Sequence, residues 1–470
     1  INASPIEMNQ TTGNHIVIIG GGFCGTMTAV NLFAKAKGPL SITLFNSGYP
    51  ENKGIAFHTY SEEHVLNVPC QNMSAFSNEP DHFLNWCKSE NKVKIPKDEL
   101  PGKFLSRNLY GKYLDEIFKD ALEQKSALIN FEIIREEVID IEKSGEQYVV
   151  HSNSGKKITA NKVALATGNH PPAHPPLANK NFVDSPRYFA NPWQENAVSN
   201  TEPNETILII GTGLTMVDAV LGLTEKQFQG KIIALSPNGY NILAHKKHHP
   251  QRNILDELAP PFDLTNLFRL FYKHVRDARL RGESGETVVD AVRSHTQIIW
   301  QQLSLEDKKR FMAHVRHLWG VARHRLPSEI HKQIQEMIAQ NNLQVLAGRI
   351  NEITVSLNNL IVDISLRGGN KIQTLKVQRI INCTGPLTDI SKFQSPLYAN
   401  LLTKKIIRPD EMKLGIDATA DGRIIDHVGN ESKSIFTLGS LLKGKLWEST
   451  AIPELRKQAE RVAELLLNNN

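Results

Sequence analysis

Gly20, Gly22 and Gly25 stand in G-x-G-x-x-G spacing directly after the apolar run Ile16-Val17-Ile18-Ile19. A turn of this kind does phosphate chemistry without side chains. One glycine makes the tight turn, one lets the backbone approach a pyrophosphate, and one lets helix and strand pack closely. The helix that opens at Phe23 and Cys24 then offers free N–H groups to the phosphates of a dinucleotide. The end of the next apolar strand, where an acidic residue usually takes the ribose hydroxyls, carries Asn46, with Glu51 as a nearby substitute. A second turn, Gly211-Thr212-Gly213-Leu214-Thr215-Met216, keeps two of the three glycines. It reads as a nicotinamide dinucleotide site through its place in a repeat. The matching strand there ends in Ser236-Pro237-Asn238-Gly239, with neither the carboxylate of an NAD site nor the arginine of an NADP site. Ser236 with Lys246 or Lys247 could hold a 2′-phosphate, and solvent-facing lysines are the equal alternative.

The elements that must hold these turns form an internal repeat. Residues 15–46 and 206–236 each read as a short apolar strand, a glycine turn, an apolar helix and a second apolar strand. Apolar strands without alternation belong to parallel sheets buried on both faces. An alternating stretch follows each unit: Phe131 to Ile158, with turns at Ser144-Gly145 and Asn153-Ser154-Gly155, and Leu343 to Leu375, with turns at Asn358-Asn359 and Gly368-Gly369-Asn370. Each runs into a strand ending in Thr-Gly, at Thr167-Gly168 and Thr384-Gly385. Residues 250–342 read as a helical insertion. Leu267, Leu270, Phe271 and Val275 share one helical face, Ser304-Leu305-Glu306-Asp307 has capping-box spacing, and Pro327-Ser328 opens a further helix. Fold class follows: α/β, with two Rossmann-like dinucleotide-binding domains of glutathione-reductase type and a helical insertion in the second.

Length and composition agree. A chain of 470 residues calls for two or three domains, and 40% hydrophobic with 22% charged residues is ordinary globular composition. The net charge of +5 suits anionic dinucleotides and gives no case for nucleic acid. No apolar run is long enough for a membrane span. The polar N-terminus does not read as a secretory signal, and Met8 reads as the natural start. Cys24, Cys70, Cys87 and Cys383 show no C-x-x-C arrangement, which points to a reduced, cytoplasmic protein and away from a flavin disulfide reductase.

Several blocks carry a family resemblance. They are Gly54-Ile55-Ala56-Phe57, His64-Val65-Leu66-Asn67-Val68-Pro69, Met73-Ser74-Ala75-Phe76, Ala166-Thr167-Gly168-Asn169-His170-Pro171-Pro172, Arg323-His324-Arg325-Leu326-Pro327, Asn382-Cys383-Thr384-Gly385-Pro386 and Gly444 through Arg456. In this order the chain resembles the bacterial FAD/NAD(P)-binding flavoproteins related to the class B flavin monooxygenases. The resemblance implies FAD in the first site and NADPH or NADH in the second. It implies an FAD-binding domain at 14–200, an NAD(P)-binding domain at 201–385, and a return segment of the FAD-binding domain at 386–470. Leu66, Asn67, Val68 and Met73 would lie along the flavin ring and Arg107 near the cofactor. Val138 would meet the adenine through its backbone. Gly439-Ser440 and Thr450-Ala451-Ile452 would close over the ribityl chain and the pyrimidine edge. Pro453 sits just inside a helix start, whose free N–H groups suit the flavin C2 oxygen. Two features depart from the family. Asp184 to Phe189 lacks the F-x-G-x-x-x-H motif, and Ser236-Pro237-Asn238 lacks its arginines.

The implied activity is NAD(P)H-dependent oxidoreductase chemistry on a small molecule. Hydride passes to flavin N5 and then to oxygen, with monooxygenation favoured over a reductase that uses another acceptor. A non-catalytic FAD-binding redox sensor or scaffold is the reading from another class. No catalytic residue is fixed by pattern; Asn67, Arg323 and Arg325 are the candidates. The crowding of Arg323, His324 and Arg325 suits either a bound anion or a surface or structural pairing, and His245 lies near the ligand edge of the second sheet. His170 and His174, set among prolines, are not read as metal ligands. Substrate and oligomeric state are not legible.

Overall fold

The computed structural model describes residues 14–89, 92–246, 254–369 and 372–468. Met8, Lys247 and Asn370 lie outside them. Two parallel sheets organise the molecule. The first has six strands in the order Arg423–Ile425, Glu431–Thr437, Lys162–Leu165, Asn14–Ile19, Leu40–Phe45 and Ile129–Ile134. All its pairings are parallel except that between Arg423–Ile425 and Glu431–Thr437. Ile16, Val17 and Ile18 are fully buried, as an apolar run without alternation requires. The Ile452–Leu467 helix lies beside the Phe23–Lys35 helix, tied to it by Lys35 with Glu460 at 3.0 Å and Glu464 at 2.9 Å. A separate three-stranded antiparallel sheet follows at Val138–Ser144, Gln147–Ser152 and Lys157–Ala160. Phe131, at the start of the predicted meander, belongs to the parallel sheet instead.

The second sheet has seven strands, in the order Ile372–Val377, Asn359–Leu366, Leu343–Ser356, Lys231–Ser236, Thr206–Ile210, Arg379–Asn382 and Tyr188–Phe189. The Leu343–Ser356 strand serves two partners. Its first half pairs parallel with Lys231–Ser236 and its second half antiparallel with Asn359–Leu366. The second meander is thus continuous with its parallel sheet, whereas the first is detached. Tyr188 and Phe189, ahead of the polar stretch at 196–205, already pair with Ile380 and Ile381 of this sheet.

The insertion is helical from Leu264–Leu280 onward. Its core joins Leu267, Leu270, Trp300 and Phe311 to Trp447 of the return segment. Trp300 stacks on Trp447 at 4.8 Å and donates Nε1–H to the Gly444 carbonyl at 2.8 Å. The Leu305–Arg310 helix is capped by Ser304 Oγ, which accepts from Asp307 N at 3.1 Å. The capping box is not reciprocal, because the Asp307 carboxylate accepts from Leu264 N and from Arg310. Among the described residues no helix is long and apolar enough to cross a membrane.

Candidate functional site

A cavity of about 450 Å³ runs from the first glycine turn to the return segment. At one end Gly20 takes φ +110°, and a Cβ there would lie 2.3 Å from the Ala166 carbonyl oxygen. Gly22 is the N-cap of the Phe23–Lys35 helix and supplies no side-chain cap, which leaves the first-turn N–H groups facing the cavity. Gly25 does not line the cavity. A Cβ there would sit 1.8 Å from the Gly20 oxygen, so its role is helix–turn packing. Phe23 and Cys24 line the wall.

Asn46 also lines it, with Nδ2 donating to the Tyr49 carbonyl at 2.8 Å. Glu51 does not line it; its carboxylate accepts from Arg135 at 2.5 Å. The acidic residues brought to the cavity are Glu136 and Glu137, just before the lining residue Val138. Sequence reasoning missed them. The only available signal was their place after the third parallel strand, since Phe45 pairs with Ile134 across the sheet.

At the other end lie Leu66, Asn67, Val68, Met73 and Arg107. Leu66 N donates to Leu105 O at 2.8 Å and Arg107 N to His64 O at 2.9 Å, so these two loops hold each other. Thr167 and Gly168 form a side wall, where the Thr167 hydroxyl meets Tyr398 OH at 2.6 Å. Gly439, Ser440, Thr450, Ala451 and Ile452 complete it. Ser440 Oγ is buried and has no protein partner. Ala451 caps the Ile452–Leu467 helix without a side-chain hydrogen bond, but its carbonyl accepts from Glu454 N at 3.0 Å and Leu455 N at 2.9 Å and Pro453 has no N–H, so of the free N–H groups expected at this helix start only that of Ile452 is left for the cavity.

A hidden brace sets the shape of this closing turn. Glu448 holds φ +63°, unfavourable for a residue with a Cβ. Its carboxylate accepts from Trp319 Nε1 at 2.6 Å and from Arg323 Nε at 3.0 Å. Gln458 ties the turn from below, accepting from Gly439 N at 2.8 Å and donating to Ser449 Oγ at 2.7 Å. The Arg323-His324-Arg325 cluster therefore has its anions built in. Arg323 pairs with Glu448 and Arg325 with Asp290 at 2.5 Å, and neither arginine lines the cavity.

The second domain reaches the same end. Arg107 donates to both Asp218 oxygens, at 3.3 and 3.0 Å, and His64 Nε2 meets the Asp218 carbonyl at 2.8 Å. His245 Nε2 lies 3.3 Å from the Asn67 carbonyl, with its ring 4.8 Å from Phe104. Burial and the nearby Arg325 charge hold His245 down to about 4, so this ring is neutral.

The second glycine turn is open. Gly211 takes φ +112° against the Cys383 carbonyl, whereas nothing lies within 4 Å of a Cβ on Gly213. Gly213 caps the Leu214–Glu225 helix with no side chain, next to Thr215. Met216, where a third glycine would stand, is buried in the domain core. Ser236 Oγ meets Thr212 Oγ1 at 2.9 Å and accepts from Gly239 N at 3.0 Å. Lys246 is exposed, just after His245 at the domain boundary. The arginine absent from the local sequence comes from a distant strand end: Arg367 donates to Asn238 Oδ1 at 3.0 Å.

His170 stacks on Phe393 at 3.7 Å and His174 Nδ1 meets Tyr188 OH at 3.0 Å. Among the described residues no group of three or more His, Cys, Asp or Glu could hold a metal ion. Burial pushes His170 down to about 4 from 6.5. Between those values the unfolded chain binds a proton that the folded chain refuses. Stability therefore rises with pH across that window and is lost as pH falls from about 6.5 toward 4. His170→Phe is expected to flatten the slope of denaturation midpoint against pH in that range. An unchanged slope would refute this assignment.

One spacing was not foreseen. Cys70 and Cys87 are buried with their sulfurs 3.9 Å apart, and neither lines the cavity.

Residues 17–170 match the model of the FAD-NAD(P)-binding family. No curated protein sequence matches the chain. The fold is shared with solved flavoenzymes. The ornithine N-hydroxylase of Kutzneria sp. 744, described with reduced FAD, NADP+ and L-ornithine, has a TM-score of 0.64 at 13% identity over 96% of this chain and 99% of its own. The FAD-bound cadaverine monooxygenase of Erwinia amylovora gives 0.64 at 13%, over 96% and 94%. The bacillithiol disulfide reductase of Bacillus cereus gives 0.53 at 15%, over 97% and 99%. All are α/β proteins of the two-domain, parallel-sheet type described above.

Proposed function

We propose that this protein is an FAD-dependent, NADPH-using oxidoreductase, and specifically a monooxygenase of a small molecule. The observation that carries the reading is the single cavity between two helix N-termini, with the second nucleotide fold fastened across its far end. Its residues fit FAD. The first-turn N–H groups behind Gly22 take the pyrophosphate. Asn46, Glu136 or Glu137 takes the adenosine ribose, and the Val138 backbone meets the adenine. The partnerless Ser440 hydroxyl suits a ribityl oxygen, and the Ile452 N–H, just beyond Ala451, suits the electron-rich C2 edge. FAD held there would supply a hydride acceptor and an electron donor to oxygen. The chain's own work would be to hold the ring edge against Asn67 and Thr450, with a neutral His245 behind the Asn67 carbonyl. Two of the related folds belong to enzymes named as an N-hydroxylase and a monooxygenase, which supports oxygen as acceptor.

Mixing the dithionite-reduced protein with oxygen tests that acceptor. A monooxygenase delays the return of the oxidised-flavin spectrum. Immediate return supports the reductase reading, which the shared fold of the disulfide reductase keeps in view. Thiol exchange has little support, because Cys70 and Cys87 are buried away from the cavity. That the two sulfurs lie so close without a bond fits the reducing cytoplasm, where we place the protein.

Arg367 is the residue for the 2′-phosphate of NADPH, facing the small polar end of the Lys231–Ser236 strand. Arg367→Gln removes a charged hydrogen-bond donor worth about 1.5–3 kcal/mol, or tenfold and more in affinity. Steady-state rates should show that loss in kcat/KM for NADPH and none for NADH. Equal losses with both would exclude the role.

A further inference from the structure

A second cavity, of about 630 Å³, lies behind the closing turn, between residues 290–297 of the insertion and the first turns of the Ile452–Leu467 helix. It adjoins the first cavity at two places. Asn72 lines one and Met73 the other, and likewise Pro453 and Ile452. Gln458 lines it as well, while its amide holds Gly439 and Ser449 of the cofactor cradle.

Its walls are charged, and the charges divide into two sets. Asp290 is taken by Arg325, and Asp421 by Arg423 at 3.5 Å and Arg461 at 3.6 Å. Among the described residues no ion pair engages Arg293, Arg456, Lys457 or Glu454, all of which line the cavity. Arg456 gives one N–H to the Ser74 carbonyl at 2.9 Å, and its Nε has no partner. Glu454 Oε2 and Gln297 Nε2 are likewise buried without partners. Partnerless buried polar atoms are uncommon in folded proteins and ask for an occupant. Arg293 and Glu454 feel each other's charge yet make no ion pair, so space separates them. A surplus of cations with one carboxylate suits a ligand that carries a carboxylate and, at a distance, an amine.

We propose that this cavity is a ligand site of its own, walled off from the flavin cavity, and that its ligand is a small amino-carboxylate. The carboxylate rests on Arg293 and Arg456, and the amine on Glu454. The binding does not rest on the oxidoreductase reading. Guanidinium groups favour a carboxylate by paired, planar hydrogen bonds. Burial pushes the Glu454 carboxyl up from its ordinary range, and an amine arriving beside it restores the charged form.

Isothermal titration calorimetry on the FAD-loaded protein, without NADPH, tests this with four probes: L-ornithine, 6-aminohexanoate, cadaverine and hexanoate. The first two carry both heads and are expected to bind. Cadaverine lacks the carboxylate and hexanoate the amine, and each should bind about tenfold or more weakly, the cost of one charged contact. Arg293→Gln should erase the preference over cadaverine, and Glu454→Gln the preference over hexanoate, with the flavin spectrum unchanged as the check on folding. Arg456→Gln repeats the first test if Arg293→Gln does not fold. No heat with any probe, equal binding of all four, or preferences that survive both substitutions would overturn the proposal. The readout involves no turnover. Binding as expected with immediate flavin reoxidation would leave this site standing and remove the monooxygenase reading.

Discussion

Gly20→Ala yields a protein that purifies without flavin. At φ +110° a side chain is strained by about 1–3 kcal/mol. The added Cβ would also lie 2.3 Å from the Ala166 oxygen. Neither neighbour can yield harmlessly. Gly20 N donates to Phe45 O and Ala166 N to Ile19 O, both at 2.8 Å, so relief bends one of the strand ends that wall the cavity. A loss of about 3 kcal/mol is two orders of magnitude in affinity. The ratio of flavin to protein absorbance reads the result directly. Gly38→Ala is the control, because nothing lies within 4 Å of its Cβ. A Gly20→Ala protein that keeps a full complement of FAD would remove the first cavity as the flavin site.

The second large effect is expected at Asp218. This residue sits on the Leu214–Glu225 helix of the nucleotide domain, yet its carboxylate serves Arg107 of the other domain. Only 16% of the Arg107 side chain and 9% of the Asp218 side chain remain exposed. Asp218→Ala leaves the Arg107 guanidinium without its counter-charge, held only by the Val65 carbonyl and the Trp193 ring, at a cost of about 3 kcal/mol. Urea denaturation should show that loss. Adding Arg107→Met should recover part of it, because the orphaned charge goes too. The joint also sets how the two cofactor folds face each other, so flavin reduction by NADPH should slow while FAD stays bound. Unchanged stability and reduction would show the pair to be incidental.

The legible parts of this molecule were those written locally. Gly20, Gly22 and Gly25 could be read with their strand and helix because all of them lie within one turn of chain. The same holds for the Gly211 turn and the insertion's apolar face. What was missed depends on pairs distant in sequence. Glu448 meets Trp319 and Arg323 across 129 and 125 positions. Arg367 reaches Asn238 across 129. The crowded arginines at 323 and 325 left an outside anion open beside a structural pairing, and the pairing with Glu448 and Asp290 is what the fold supplies. Glu51 looked available for a ribose because it is near Asn46 in sequence. Arg135, 84 positions on, already engages it. A one-dimensional pattern shows which groups are charged, whereas the partners that spend those charges are set by the packing of sheets.

The way the first sheet is assembled bears on how the protein is born. Glu431–Thr437 pairs with Lys162–Leu165, and the helix that covers Phe23–Lys35 is Ile452–Leu467. During translation the amino-terminal half of that sheet emerges with one edge unpaired and one face bare. The sheet of the middle domain draws its strands from 188–382 alone and can close before the ribosome finishes, whereas the core of its helical insertion waits for Trp447. A chain released at about residue 400 is therefore a closed nucleotide sheet with an unfinished insertion core, joined to an unfinished, sticky partner. If the cavity is the flavin site proposed above, its wall at Gly439 to Ile452 is made last, and flavin would be taken up only after synthesis is nearly complete.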